Sequence, residues 1–286
     1  MTDGAVSRTL THRSFSALSN ETRLDILEAL WIHGDATFID LYDRIALEDT
    51  GQFTYHLNQL VGEFIYKSEE RYKLTHAGRE IVMTVRSSID GKNPLRTPTV
   101  LDVSCHSCGA EIHARCRGDW LSIDCAACEK LYASYPVSRA GLHEREAGAF
   151  LSVFDQQLRR MNTLVHRGIC PNCACPMDCS VVPDAEPEPG LPFVFEHQCR
   201  HCLMEVYTVP ATGLLEHPAV IAFYHDRGID LYTIPHWALD WMFDGRAIDV
   251  IDESPLEYTV TIEVHGSRLR ATLDEQGDAC DVYPVN

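Results

Sequence analysis

Over the first ninety positions apolar residues recur three and four apart, the spacing of helices, and only one short stretch alternates like strands. In "LSNETRLDILEALWIHG" this period puts Leu24, Leu27, Leu30 and Trp31 on one face, with Ser19 or Asn20 as N-cap and Gly34 as the stop. "DATFIDLYDRIAL" restarts with Asp35 or Thr37 as cap and buries Phe38, Leu41 and Ile45. Asp49 or Thr50 then caps a third helix, "TGQFTYHLNQL", which buries Phe53, Leu57 and Leu60. "FIYKSEERYKLT" reads as two short strands meeting at Glu69-Glu70, and "HAGREIVMTVRSSI" as a closing amphipathic helix. The predicted order is three helices, a hairpin and a helix, and the second and third helices with their tight turn resemble a helix-turn-helix.

The pattern breaks at "DGKNPLRTPT", a linker rich in Gly, Pro and polar residues. Two cysteine-bounded segments follow, roughly residues 100–137 and 168–210, separated by a helix expected over Leu142 to Val165. Each segment has Cys-x-x-Cys, a strand-rich middle, a second Cys-x-x-Cys and an apolar-aromatic run ending at proline, "KLYASYP" and "MEVYTVP", so the two look like a repeat. After Pro210 come a helix at "HPAVIAFYHDRG", an aromatic segment "HWALDWMF", and a hairpin in "YTVTIEVHGSRLRATLD" with His265-Gly266-Ser267 as its turn.

Cysteine spacing carries the strongest chemical signal. Cys105, Cys108, Cys125 and Cys128 form two Cys-x-x-Cys pairs with 16 residues between them, and Cys170, Cys173, Cys199 and Cys202 repeat the arrangement across 25. Two thiolates from each turn, brought together by a hairpin, make the closed tetrahedral set that structural Zn2+ prefers, so two Zn2+ per chain are expected. Cys175 and Cys179 leave open a cluster made with Cys170 and Cys173 alone, or an iron-sulfur centre. Cys116 reads as a buried spare and Cys280 as structural. His106, His113, His197 and His201 neighbour these sites and are expected to be surface histidines.

Composition narrows the setting. With 45% hydrophobic and 23% charged residues the chain of 286 should fold, and no run approaches a signal peptide or a membrane span, so a cytoplasmic protein without a membrane partner is expected. Residues 1–96 hold 11 Lys/Arg against 14 Asp/Glu, a net −3 of the total −18, which leaves −15 for the rest. Only four of the 24 basic residues are Lys, a balance suited to concentrated salt. The third helix has neither Lys nor Arg. Its outer face carries Gln52, Tyr55, Asn58 and Gln59, with Thr54 at the edge. Gln and Asn can pair with adenine, Thr and Tyr with phosphate oxygens, and the helix N-terminus at Thr50-Gly51 offers N–H groups to a phosphate. Lys67, Arg71 and Lys73 lie on the hairpin. No nucleophile–base constellation or phosphate loop points to an enzyme.

"ALSNETRLDILEAL", "GQFTYHLNQLVG" and "YKLTHAGREIV" resemble the winged helix-turn-helix of ArsR-like transcriptional regulators, particularly those of halophilic archaea with a cysteine-rich C-terminal region. The resemblance covers Phe15 to about Ile89. It implies a homodimer on double-stranded DNA, with the third helix in the major groove and the hairpin on the backbone. Gln52, Thr54, Tyr55 and Asn58 would then meet bases or phosphates, and Lys67, Arg71 and Lys73 the backbone. Metal-sensing members carry cysteine in the DNA-binding helices, whereas no cysteine precedes Cys105 here, so sensing by that route is not implied. The cysteine segments resemble zinc ribbons.

The expected chain is therefore α+β: a winged helix-turn-helix over 1–96, a first zinc ribbon over 97–140, a connecting helix over 141–167, a second ribbon over 168–210, and a mixed α/β C-terminal subdomain over 211–286. The expected function is sequence-specific DNA binding that regulates transcription. The alternatives are an adaptor that docks on the transcription machinery and a thiol redox sensor.

Overall fold

Asn20 starts the first long helix by accepting a hydrogen bond from the Arg23 N–H, and Gly34 ends it at a positive φ of 75° that other residues rarely adopt. In this computed structural model residues 12, 14–87, 93, 95–183 and 190–285 are described. The helix, α1, spans Glu21–His33. It buries Ile26, Leu27 and Leu30, whereas Leu24, expected in the core, is 42% exposed. Contacts from the elements that follow it centre the buried stripe on Ile26 instead.

Strand β1 (Ala36–Thr37) leads into α2 (Phe38–Tyr42) through a reciprocal cap, Thr37 with Asp40, at 2.9 and 3.2 Å. Next come α3 (Thr50–Leu60), the hairpin β2 (Ile65–Ser68) and β3 (Arg71–Leu74), and α4 (His76–Ser87). Glu69 and Glu70 turn the hairpin at positive φ, and β1 pairs with the far side of β3. Phe53, Leu57 and Leu60 of α3 are buried, as the helical period predicts. Gly78 is required at the start of α4: a Cβ there would sit 2.2 Å from the Phe64 carbonyl oxygen.

The chain divides into two compact units, Met1–Asp90 and Gly91–Asn286, each with its own apolar core. In the second, β4 (Thr99–Ser104), β5 (Glu111–Arg117), β6 (Trp120–Cys125) and β7 (Leu131–Pro136) form an antiparallel sheet in sequence order. The expected helix after it is two helices, α5 (Arg139–His143) and α6 (Ala147–His166). Strands β8 (Met177–Pro183), β9 (Phe193–Cys199) and β10 (Glu205–Thr208) make a second sheet with β9 in the middle. Helices α7 (Pro218–His225) and α8 (Asp240–Phe243) precede a four-stranded meander of β11 (Ile248–Glu253), β12 (Leu256–Val264), β13 (Ser267–Leu273) and β14 (Ala279–Val285).

Val264 pairs with Ser267, so the β12–β13 turn is the two residues His265-Gly266, both at positive φ, and Ser267 belongs to the strand. Residues 97–286, which the pattern divides into four stretches, share one core. Ile112 and Ile123, Phe154 and Leu158 of α6, Phe193 and Phe195, and Trp241, Phe243 and Tyr258 lie in a single cluster. Tyr258 Oη donates to the Pro210 carbonyl at 2.8 Å and ties the C-terminal sheet to the second cysteine segment.

Candidate functional site

All four Cys-x-x-Cys turns are built alike. The first cysteine of each donates its N–H to the carbonyl five residues on: Cys105 to Ala110, Cys125 to Lys130, Cys170 to Cys175 and Cys199 to Met204, at 2.8–2.9 Å. The residue after the second cysteine, Gly109, Glu129, Ala174 or Leu203, has a positive φ of 58–73° and sends the chain back on itself. This closed turn lifts both thiols to one side. Backbone N–H groups of Ala127 and Cys128 point at Cys125 Sγ, and that of His201 at Cys199 Sγ, at 3.4–3.5 Å.

Paired turns then close two sites. The four sulfurs of Cys105, Cys108, Cys125 and Cys128 lie within 4.8 Å of one another, and so do those of Cys170, Cys173, Cys199 and Cys202; each set could hold a metal ion. Cys105–Cys128, Cys108–Cys125, Cys170–Cys202 and Cys173–Cys199 are 3.4–3.6 Å apart. That is far longer than a disulfide at about 2.05 Å, and close to the edge of about 3.8 Å expected for a tetrahedron with 2.3 Å metal–sulfur bonds. The donor set therefore fits a tetrahedral thiophilic cation. Cys175 and Cys179 join neither set, so the alternative cluster with Cys170 and Cys173 is not formed.

The thiols also respond to one another. Burial raises Cys105, but hydrogen bonds from Tyr132 Oη and the Cys108 and Ser107 amides outweigh it and bring it down to about 6. Cys128 is pushed up to about 12 by burial and by its neighbouring thiols. In the second site the Cys202 and His201 amides bring Cys199 down to about 6 while Cys173 is raised. One thiolate discourages the next at this separation; a divalent cation at the centre removes that conflict and deprotonates all four.

Two histidines depart from expectation. The His106 side chain is buried, with Nδ1 3.1 Å from Tyr132 Oη and Nε2 2.9 Å from Asp240. His197 is buried with Nε2 3.0 Å from Thr208 Oγ1. His106 meets Asp240 of α8, which sequence spacing does not bring near, whereas His197 meets Thr208 on the neighbouring strand β10. Lys130, fully buried, reaches the Phe243 carbonyl, and the Tyr132 and Phe243 rings are 4.9 Å apart, so α8 is packed on the first cysteine site. A buried Lys inside an apolar-aromatic run was the one signal of this docking in the sequence. Cys116 is buried, as expected of a spare, whereas Cys280 is exposed on β14.

In the N-terminal unit, Thr50, Gln52, Thr54, Tyr55, Asn58 and Gln59 of α3 are all exposed, opposite its buried Phe53, Leu57 and Leu60. Thr54 Oγ1 donates to the Thr50 carbonyl at 2.7 Å and keeps its acceptor capacity. Two features bear on the charge this face would offer an anion. Asp49 Oδ1 accepts from the Gly51 N–H at 2.7 Å, so a carboxylate already occupies the helix N-terminus. On the hairpin, Lys67 is 2.8 Å from Glu70, Lys73 is 2.7 Å from Asp35, and Arg71 donates to the Asp35 carbonyl. The Lys67–Glu70 pair is local to the hairpin, whereas the contacts of Lys73 and Arg71 with Asp35 depend on β1 lying beside β3.

Two family profiles match the chain, each described as a domain of unknown function: DUF7351 over residues 102–279 and DUF7347 over residues 11–85. The gap between them contains the division between the two structural units. The first spans both cysteine sites and most of the C-terminal sheet, the stretch that shares one core. No curated protein and no solved structure matches. Among the described residues, no helix is long and apolar enough to cross a membrane.

Proposed function

We propose that this chain, which belongs to the DUF7351 family, is a sequence-specific DNA-binding regulator of transcription with two structural zinc sites. The N-terminal unit is read as a winged helix-turn-helix of the ArsR-like kind, acting as a dimer, with α3 in the major groove and the β2–β3 hairpin on the backbone. The observation that carries this reading is the face of α3. Its exposed side, Gln52, Thr54, Tyr55, Asn58 and Gln59, is uncharged and rich in groups that pair with base edges, while its other side is locked into the core.

Zinc is the metal assigned to the cysteine sites, because closed tetrahedral sets of four thiolates suit Zn2+ and the two sites sit at the ends of short strands that need fastening. Each site leaves no position open for a substrate, so its role is structural. Cys105, Cys108, Cys125 and Cys128 hold one ion and Cys170, Cys173, Cys199 and Cys202 the other.

Selection of bound duplexes from a random-sequence pool by the intact, zinc-loaded protein tests the reading. An enriched motif that is lost with Gln52→Ala or Asn58→Ala supports it, and recovery of duplexes without any common motif overturns it. The acids beside Lys67 and Lys73 favour a second reading, an adaptor that uses the same unit to dock on the transcription machinery. That reading predicts no motif, together with stoichiometric binding to the cell's own RNA polymerase.

A further inference from the structure

Strands β7 and β10 are the outer strands of the two cysteine-bearing sheets, and both border one cavity of about 570 Å3. Every residue of Leu131–Pro136 and of Met204–Val209 lines it. Side chains alternate between the faces of a strand, so consecutive lining residues mean that both strands meet the cavity along an edge. Leu158 and Met161 of α6 contribute further apolar surface, and the lining is predominantly apolar.

One polar group in that lining is held as a binding group is held. His236 is only 3% exposed, and its Nδ1 lies 2.8 Å from Asp155 Oδ1, which also accepts the His236 backbone N–H at 2.8 Å. The other Asp155 oxygen accepts from Arg159 Nε at 2.9 Å, and Arg159 donates in turn to the Ile234 and Leu231 carbonyls. Burial would raise the Asp155 carboxyl, but the hydrogen bonds from His236 and the Arg159 charge hold it below its ordinary range. The carboxylate fixes Nδ1 as the donor, which in the neutral imidazole leaves Nε2 as the acceptor. Nε2 makes no hydrogen bond among the described residues and is left to meet a group in the cavity that His236 lines.

We propose that this cavity is a binding site for a small apolar molecule carrying one hydrogen-bond donor, a hydroxyl or an N–H, which lies against His236 Nε2 while its body fills the space between β7 and β10. The volume falls within the roughly 300–1,000 Å3 of small-molecule sites, and an apolar lining with one oriented polar group is their usual composition. Asp155 and Arg159 are positioning residues that fix the imidazole. No cysteine lines the cavity, although Tyr132 and Met204 border both it and a cysteine turn, and the site does not depend on DNA binding.

The test is a calorimetric titration of the intact, zinc-loaded protein with 1-naphthol and with 1-methoxynaphthalene, which keeps the rings but blocks the donor. One 1-naphthol should bind per chain, about tenfold more tightly than the ether, the worth of one hydrogen bond. Asn162→Trp, from a half-buried cavity position away from His236, should weaken both ligands at least tenfold with zinc content unchanged. His236→Phe should make the two ligands equal. Absence of saturable 1-naphthol binding, equal affinities for the pair on the native chain, or affinities unaltered by Asn162→Trp would each overturn the proposal. If His236→Phe loses its zinc and unfolds, the ligand pair on the native chain still decides.

Discussion

In the N-terminal unit Phe53, Leu57 and Leu60 of α3 share a core with Ile26 and Leu27 of α1, and no cysteine lies before Cys105. The second unit has a longer roll of buried apolar residues, yet it also commits eight thiols to two sites. The difference lies in where each core reaches. Helices bury a stripe along their whole length, whereas the Cys-x-x-Cys turns stand at strand ends: Cys105, Cys125, Cys170 and Cys199 are buried, but Cys108 is exposed and Cys128, Cys173 and Cys202 are half-buried. Apolar packing holds the middle of each sheet, and the cysteine sets that could hold a metal ion stand beyond it.

The largest effect should come from removing that metal. Metal analysis before treatment should find two Zn2+ per chain, and a strong chelator should then abolish hydrogen-exchange protection at all four cysteine turns while α3 keeps its own. Structural zinc contributes on the order of 10 kcal/mol per site in small zinc peptides, which the apolar core offsets only in part. Loss of protection in α3 as well would break the comparison between the units.

Next in size is Asp155→Asn. It leaves Arg159 buried without its counter-charge and should lower the stability of the second unit by about 3–5 kcal/mol in denaturant titrations, with the first unit's transition unmoved. The pH dependence has a definite sign. Because the folded state holds Asp155 below the ordinary carboxyl range, its contribution is fully present above that range and is lost as pH falls through the folded value, so the variant should lack this part of the acid destabilisation. Leu57→Ala should do the reverse in location: a cavity in the first unit costing about 2–5 kcal/mol, with two zinc ions still bound.

The smallest change in stability is expected for Asp49→Ser, within about 0.5 kcal/mol, since Ser also caps a helix. It nevertheless removes a negative charge from the α3 N-terminus, where a phosphate would lie. Tighter binding to the selected duplex is expected by fluorescence anisotropy, and unchanged binding would place that helix end away from the backbone.

Local rules made much of this legible. The buried positions of α3, the two cysteine sets and the hairpin at Glu69-Glu70 follow from periodicity and spacing within a few turns of chain. What the sequence hid depends on contacts between distant segments. Ile26 replaces Leu24 in the core because later elements pack on α1. The His106–Asp240 and Asp155–His236 pairs join residues more than eighty positions apart, and in α6 only the four-residue spacing of Asp155 and Arg159 on an apolar face hinted at a buried pair. Strands β11 and β14 gave no reading because most of their side chains face solvent, which removes the apolar alternation that marks a strand.

On the proposed function, an acidic chain would hold DNA through the uncharged face of α3 rather than through phosphate neutralisation. Lys67 and Lys73 already face Glu70 and Asp35, and the −15 carried by residues 97–286 would repel a duplex unless salt screened it. The most direct measurement is an anisotropy titration of the intact protein on its selected site as KCl rises from about 0.1 to 2 M, over which the screening length falls from about 10 Å to below 3 Å. Affinity is expected to hold or improve across the series. A steep, steady loss, near 0.9 in logarithmic slope for each phosphate neutralised, would contradict it.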